Sequence, residues 1–384
     1  MKENIRILHL IKTTSGASWA LKQIQQLISQ GCEIHVVLPD NNGLAKCYLE
    51  KGAKIHILNI DFVSLIKQPT VFLENVKKFR KLLKQINPDI VHSHFIGNTI
   101  FMRIAMKGLK IKKIFQVPGP LHLEKKITRS LDLKLANRYD YWIPTCTFSQ
   151  QIYLASGIKH DRLMTTFYGT DLSIYKKKDK GILRDEFNIS KDLKIVGMVA
   201  YAYAPKKWLG QTRGLKGHED LIDAMEIVIA SNPNVKCLIV GGPWVGADQY
   251  FQSIIEYGKK KLGDQILFLG TRKDVPDLYP DIDVVVHPSH SENLGGAAES
   301  LLMAVPTIAT DIGGFPDIVK PGITGWLVPK ENPKALAEAI LEALSNPQHA
   351  SNMAQEGAKQ LKQTLDVRKT SKDVFDFYKK IIVD

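Results

Sequence analysis

Residues 284–328 read VVVHPSHSENLGGAAESLLMAVPTIATDIGGFPDIVKPGITGWLV. Val284–His287 is a short β-branched run, apolar on both faces, as a buried parallel strand requires. Pro288 closes it. A loop carries Ser289, His290, Ser291 and Glu292, and Asn293-Leu294-Gly295-Gly296 opens a helical stretch that holds Glu299. A second β-branched run, Thr307–Ala309, follows. A strand, a glycine-containing loop, a helix and a further strand in this order indicate a doubly wound α/β sheet.

The same alternation runs through both halves of the chain. The first half has candidate strands at Ile5–Ile11, Ile34–Leu38, Ile55–Leu58, Asp89–His94, Ile114–Val117 and Tyr141–Pro144. The second has Ile195–Ala200, Val235–Val240, Ile266–Leu269, Val284–His287 and Thr307–Ala309. Helical patterns lie between them. Ala20–Ser29 ends at Gly31, a C-cap residue, while Val71–Ile86, Glu219–Ala230 and Ala335–Leu344 each stop before an Asn-Pro. The polar stretch Lys176–Gly181 separates the two series. The expected fold class is α/β, two facing Rossmann-like domains with an interdomain cleft: residues 1–178, residues 179–364, and a C-terminal helix over 365–384 packing back on the first domain. Ligands of such sheets bind at the carboxyl ends of the strands.

Composition excludes several classes. The chain has 384 residues, 44% apolar and 24% charged, which is ordinary for a globular protein and unlike a disordered or collagen-like one. Its four cysteines, Cys32, Cys47, Cys146 and Cys237, form no CxxC pair, so a zinc ribbon or thioredoxin motif is absent and a reduced compartment is expected. The N-terminal apolar run is interrupted by Arg6 and His9, too polar for a signal peptide or membrane span. Net charge is +13, and its distribution is uneven. Residues 1–180 carry 29 basic and 13 acidic side chains, a net of +16, against −3 for the remainder. One half is thus suited to an anionic partner: nucleic acid, anionic lipid or a phosphorylated substrate.

Free N–H groups at a glycine-rich helix start can bind an anion, and a carboxylate near that site, such as Glu299, can accept paired hydroxyl bonds from a ribose. The same residues also read as a helix-start charge and a surface glutamate. In the first half, Thr13–Ser18 turns the first strand into a helix, with Gly16 where a ligand could approach the backbone. His92 and His94 share one face of a strand end. They could bind a metal, but no matching Cys, Asp or third His is evident in the sequence, so hydrogen-bonded strand-end histidines are expected. Asp281-Ile282-Asp283 has Asp-x-Asp spacing but reads as a turn and strand start, so the metal reading is rejected. Lys77–Lys84 and Arg103–Lys113 mix cations with apolar residues, suiting an anionic membrane surface or a solvated basic face. No nucleic-acid-binding signature accompanies them.

Taken together, Pro288-Ser289 after a strand, the pair Glu292/Glu299, Val305-Pro306, Thr310-Asp311, Gly313-Gly314, Pro316 and Gly322–Gly325 resemble the nucleotide-sugar-binding domain of the family-4 glycosyltransferases, retaining enzymes of GT-B fold. Lys216-Gly217-His218, Val240–Pro243, Phe268–Gly270 and Tyr168–Asp171 extend the resemblance over nearly the whole chain. It implies Glu299 on the ribose, Glu292, Asn293, Leu294, Gly295 and Gly296 on the donor sugar and phosphate, Lys216 on the diphosphate and Gly16 near the donor phosphate. It also implies His94 and His122 on the acceptor side. Two features depart from the family pattern. Six residues rather than seven separate the paired glutamates, and the family's Arg after the strand glycine is Met198. A long segment with Tyr201, Tyr203, Lys206, Lys207, Trp208 and Arg213 intervenes instead, and Arg213 is expected to replace the missing arginine.

The resemblance implies transfer of a sugar from a nucleoside diphosphate sugar to an acceptor hydroxyl, with retention, no cofactor and no metal requirement. The expected setting is cell-surface polysaccharide or glycolipid synthesis. The expected partners are the donor, a sugar or lipid-linked acceptor and an anionic membrane surface, not nucleic acid; the expected location is cytoplasmic, peripheral on the inner face of the membrane. The competing readings are a sugar-nucleotide epimerase or hydrolase on the same fold, and a basic lipid- or nucleic-acid-binding protein with a degenerate cleft.

Overall fold

The computed structural model describes residues 5–176, 181–206 and 210–383. Most of the expected divider Lys176–Gly181, as well as Lys207 and Trp208, lies outside the described residues. The chain forms two compact units, Met1–Asp171 with Thr364–Asp384, and Leu172–Gln363.

The first unit is built on parallel strands β1 (Arg6–Leu10), β2 (Glu33–Leu38), β3 (Lys54–Ile57), β4 (Ile90–Ser93), β5 (Lys112–Val117) and β6 (Asp140–Pro144), in the order β3-β2-β1-β4-β5-β6. The second contains β7 (Lys194–Val199), β8 (Val235–Val240), β9 (Ile266–Gly270), β10 (Val284–His287), β11 (Thr307–Thr310) and β12 (Trp326–Val328), in the order β12-β11-β10-β7-β8-β9. Both are the doubly wound arrangement of a Rossmann-like domain, with the order reversing between β1 and β4 and between β7 and β10. The three-residue edge strand β12 is the one strand among the described residues that the apolar runs did not foreshadow; it is too short to show a period.

Helices cover both faces of each sheet, which is why the central strands are apolar throughout: Val284, Val285 and Val286 are all buried. The helix Val367–Val383 belongs to the first unit. It turns Val374, Phe377, Tyr378 and Ile381 toward Ala20, Ile24 and Leu27 of the helix Ser18–Ser29. Spacings of three and four residues put these side chains on one stripe. Each fully buried residue of this size contributes roughly 1.5–3 kcal/mol, so truncating Phe377 to Ala would cost about 3–5 kcal/mol.

Candidate active site

In the second unit a cavity of about 270 Å³ opens at the carboxyl ends of the neighbouring strands β10, β7, β8 and β9. Met198 and Val199 end β7, Val240 and Gly241 follow from β8, Thr271 and Arg272 follow β9, and His287 and Ser289 follow from β10. Lys216, Glu292, Gly296 and Glu299 complete its polar wall, while Tyr201, Tyr203 and Phe315 supply apolar surface. The reversal between β7 and β10 lies at its floor, because neighbouring connections leave the sheet there in opposite directions and open a crevice.

Local backbone geometry carries Lys216 and Glu292 together. Gly217 has φ +72°, and a Cβ there would overlap the carbonyl of Pro288. Only glycine lets the turn before the helix His218–Ser231 press against the loop after β10. Across this contact the Lys216 ammonium pairs with the Glu292 carboxylate. Gly295 has φ +46°, and a Cβ on it would meet the Glu292 carboxyl carbon at 2.8 Å. The left-handed turn thus folds back on Glu292 and absorbs the missing residue, so both glutamates line one cavity despite the shortened spacing. The loop is tied down elsewhere by His290, whose Nε2 lies 2.5 Å from Asp220 and whose N–H donates to the carbonyl of Leu215.

The charges are locally balanced. Arg272 donates to both Glu186 oxygens at 2.6 and 2.9 Å and to both Asp274 oxygens at 2.9 and 2.7 Å. Glu299 accepts from the Tyr175 hydroxyl at 3.4 Å. His287 is buried against Ser300 at 3.1 Å. Desolvation first, then the Lys216 charge, pushes it down to about 3, so this imidazole is neutral near pH 7 and adds no charge to the cavity.

Residues 208–360 match the family described as glycosyl transferases group 1, and residues 17–174 match glycosyltransferase family 4. The chain is 25% identical over 353 residues to N-acetyl-alpha-D-glucosaminyl L-malate synthase of Bacillus anthracis, covering 86% of this chain and 84% of that one. It is 21% identical over 383 residues to the capsular polysaccharide biosynthesis glycosyltransferase CapM of Staphylococcus aureus, covering 94% and 93%. The crystal structure of Anabaena Alr3699/HepE in complex with UDP-glucose superposes with a TM-score of 0.80 over 97% of this chain and 98% of that one. At 20% identity that likeness establishes the GT-B fold. The chain belongs to the family-4 glycosyltransferases.

Within this glycosyltransferase the structure gathers Lys216, Glu292, Gly296 and Glu299 in one cavity, with Asn293, Leu294 and Gly295 in the same loop behind them. It places Arg213 elsewhere. The Arg213 guanidinium is held by Asp220 at 2.5 Å and Asp223 at 2.7 Å and does not line the cavity. Both carboxylates belong to the helix His218–Ser231. The guanidinium that does line the cavity is Arg272, which the sequence reading missed; its position two residues after Gly270, just past a strand's carboxyl end, is the signal that could have found it.

The first unit places both histidines expected on the acceptor side away from the surface. His122 is one of them. It is buried, with Nε2 3.3 Å from both Asp132 and the Tyr153 hydroxyl. Asp132 also receives Arg103 at 2.6 Å and the Trp142 indole N–H at 3.3 Å, and Arg103 reaches Asp140 at 2.7 Å. This buried ion network, which Lys113 also joins, withdraws Arg103 and Lys113 from the expected basic surface.

His94 is likewise fully buried, bonded to the Tyr168 hydroxyl at 3.0 Å and to His9 at 2.9 Å. A third histidine does therefore accompany His92 and His94: β1 pairs with β4 in a register that sets His9 opposite His92. The three rings stack, with interplanar angles of 28°, 14° and 15°. Their ligating nitrogens lie within 4.8 Å of one another, and two of them, His9 Nδ1 and His94 Nε2, already hydrogen-bond each other. The Tyr378 hydroxyl takes the Nδ1 of His92 at 2.5 Å. The three rings are thus linked to one another and to Tyr168 and Tyr378.

Gly16, with φ +73°, turns the chain after β1 together with left-handed Ala17. Asp281 accepts the N–H groups of Gly181, Leu183 and Arg184, and Asp283 accepts that of Ile195 and pairs with Lys194 and Arg184. Both carboxylates are engaged in holding the strand start and the short helix Ile182–Glu186.

Proposed function

We propose that this glycosyltransferase takes its sugar from a nucleoside diphosphate donor bound in the cavity of the second unit, and transfers it to an acceptor hydroxyl with retention. The observation that carries this reading is the convergence of Lys216, Glu292, Gly296, Arg272 and Glu299 on one cavity at a topological switch point. Glu299 would accept the ribose hydroxyls. The diphosphate would take Lys216 over from Glu292, freeing the carboxylate to accept hydroxyls of the donor sugar. As the bond to the anomeric carbon breaks, charge grows on the leaving phosphate oxygen, and a cation already fixed there stabilises that change. The helix after Gly296 has only six residues, so local N–H groups, rather than a long helix dipole, would add to Lys216. These groups suffice for a metal-independent reaction. In the front-face displacement of a retaining enzyme of this kind, the leaving oxygen itself accepts the acceptor's proton, and no protein base is required.

The relatives that make a glucosaminyl malate and a capsular polysaccharide, and the Anabaena structure with UDP-glucose, support a nucleotide-sugar donor and a glycoconjugate or polysaccharide product. The membrane reading rests on the helix Pro69–Ile86. Its Lys77, Lys78, Lys81 and Lys84 are all exposed, as are Val71 and Leu73 at its start. Exposed cations beside exposed apolar residues suit a peripheral position on an anionic surface.

Calorimetric titration with UDP and GDP tests the donor site. Glu299→Ala should weaken the nucleotide that binds by about 1.5–3 kcal/mol, the contribution of hydrogen bonds to a charged acceptor. Unchanged affinity would remove Glu299 from the ribose.

A further inference from the structure

Three aromatic rings cluster at the cavity: Tyr201 and Tyr203 line it, and Trp244 packs against both. After β7 the chain continues as Tyr201-Ala202-Tyr203, and after β8 as Gly242-Pro243-Trp244. The Ala202 N–H donates to the carbonyl of Gly242 and the Trp244 N–H to that of Ala202, both at 2.9 Å, so the two segments go on pairing beyond their strands. Tyr201 and Tyr203 are two residues apart on extended chain and point the same way. Trp244 meets both, stacked on Tyr203 with centroids 5.2 Å apart at 24° and edge-on to Tyr201 at 5.5 Å and 70°.

These rings are fixed by one another, yet they are not buried. Tyr201 is 41% exposed and Trp244 37%. Tyr201 and Tyr203 line the cavity, and the Lys216 ammonium lies 5.6 Å from the Tyr203 ring centre. A rigid, exposed aromatic surface continuous with a polar pocket offers apolar area to a ligand with little ordering cost. The pyranose ring fits it: hydroxyls project from its rim, and its C–H bonds make an apolar, positively polarised face suited to the negative face of an aromatic ring. Glu292, paired to Lys216 beside Tyr203, is within the same wall to accept the rim hydroxyls.

We infer that Tyr201, Tyr203 and Trp244 form a stacking subsite for a hexopyranose ring beside the Lys216–Glu292 pair. The inference rests on the donor reading given above. The ring would belong either to the donor or to the acceptor, and the two sources separate experimentally. UDP, GDP, UDP-glucose, UDP-N-acetylglucosamine and GDP-mannose are titrated calorimetrically into wild type, Trp244→Ala and Trp244→Phe. Methyl glycosides of glucose, galactose, mannose and N-acetylglucosamine are then examined by saturation-transfer NMR with the nucleotide-loaded protein.

For a donor sugar, Trp244→Ala leaves the nucleoside diphosphate affinity unchanged and weakens the matching nucleotide sugar about 3- to 10-fold, the range of one aromatic contact. For an acceptor sugar, both affinities are unchanged and the glycoside signal of wild type is lost in Trp244→Ala. In either case Trp244→Phe keeps a ring and restores most of the effect. Equal weakening of nucleoside diphosphate and nucleotide sugar overturns the proposal, and so does a Trp244→Ala protein that matches wild type in every measurement. Wild type that binds none of the nucleotides refutes the donor reading, and the glycoside spectra without nucleotide then decide the subsite alone.

Discussion

Replacing Arg213 with alanine separates a catalytic cation from a structural one. A guanidinium that stabilises the leaving diphosphate would contribute about 10²-fold or more to turnover. The structure gives Arg213 a different task. It pairs with Asp220, whose side chain is 4% exposed, and with Asp223 at 15%, while its own side chain is 35% exposed. Removing one partner of a fully buried pair costs about 3–5 kcal/mol. Here both carboxylates keep other partners: Asp220 retains His290, and Asp223 retains Lys261 and the Tyr257 hydroxyl. With that compensation and the partial solvent exposure, the expected loss is about 1–2 kcal/mol. For a unit of this size it corresponds to a fall in Tm of roughly 2–8 °C. Turnover should fall less than about 10-fold, since removing an ion pair outside the cavity leaves its electrostatics in place. Thermal melting and initial rates under saturating donor measure the two quantities on the same preparation. A drop of 100-fold in kcat with an unchanged Tm would refute the structural assignment and return Arg213 to the phosphates.

Three other outcomes follow from the same structure. On the proposed reading, in which Lys216 and neighbouring N–H groups would supply the electrostatic work, sugar transfer should persist in excess EDTA; full loss of activity restored by Mg²⁺ or Mn²⁺ would show otherwise. Reversing Lys77, Lys78, Lys81 and Lys84 to glutamate should reduce binding to anionic vesicles, and wild-type binding should fade with salt as the screening length shortens below about 8 Å; equal binding to neutral vesicles would count against an electrostatic contact. Burial holds His9 and His287 at about 3 and His218 at about 4 in the folded protein, against about 6.5 unfolded. The unfolded chain therefore binds more protons below pH 6.5. Stability should be intact above that pH and fall steadily toward pH 3, each such histidine contributing about 1.4 kcal/mol per pH unit within its window; urea midpoints that stay level from pH 7 to 4.5 would exclude this.

Much of the architecture is legible in the sequence because parallel strands buried on both faces must be short and apolar, whatever their neighbours. Val284–His287 and Val235–Val240 show this directly, and Asn-Pro pairs after the helices end them by local sterics. The glycines of the cavity are legible for the same reason: Gly217 and Gly295 occupy backbone conformations that other residues resist. Side-chain partners are another matter, because they come from distant segments whose meeting depends on strand order and register. Arg213 stands three residues before Lys216 in the sequence, yet two acidic residues one helical turn apart capture it in space. His9 gives no sign of its companions until β1 pairs with β4 and sets it opposite His92. Arg272 reaches the cavity only because β9 ends beside β8. Local chemistry selects strands, turns and glycines, whereas the tertiary structure decides which charges face a ligand and which neutralise one another.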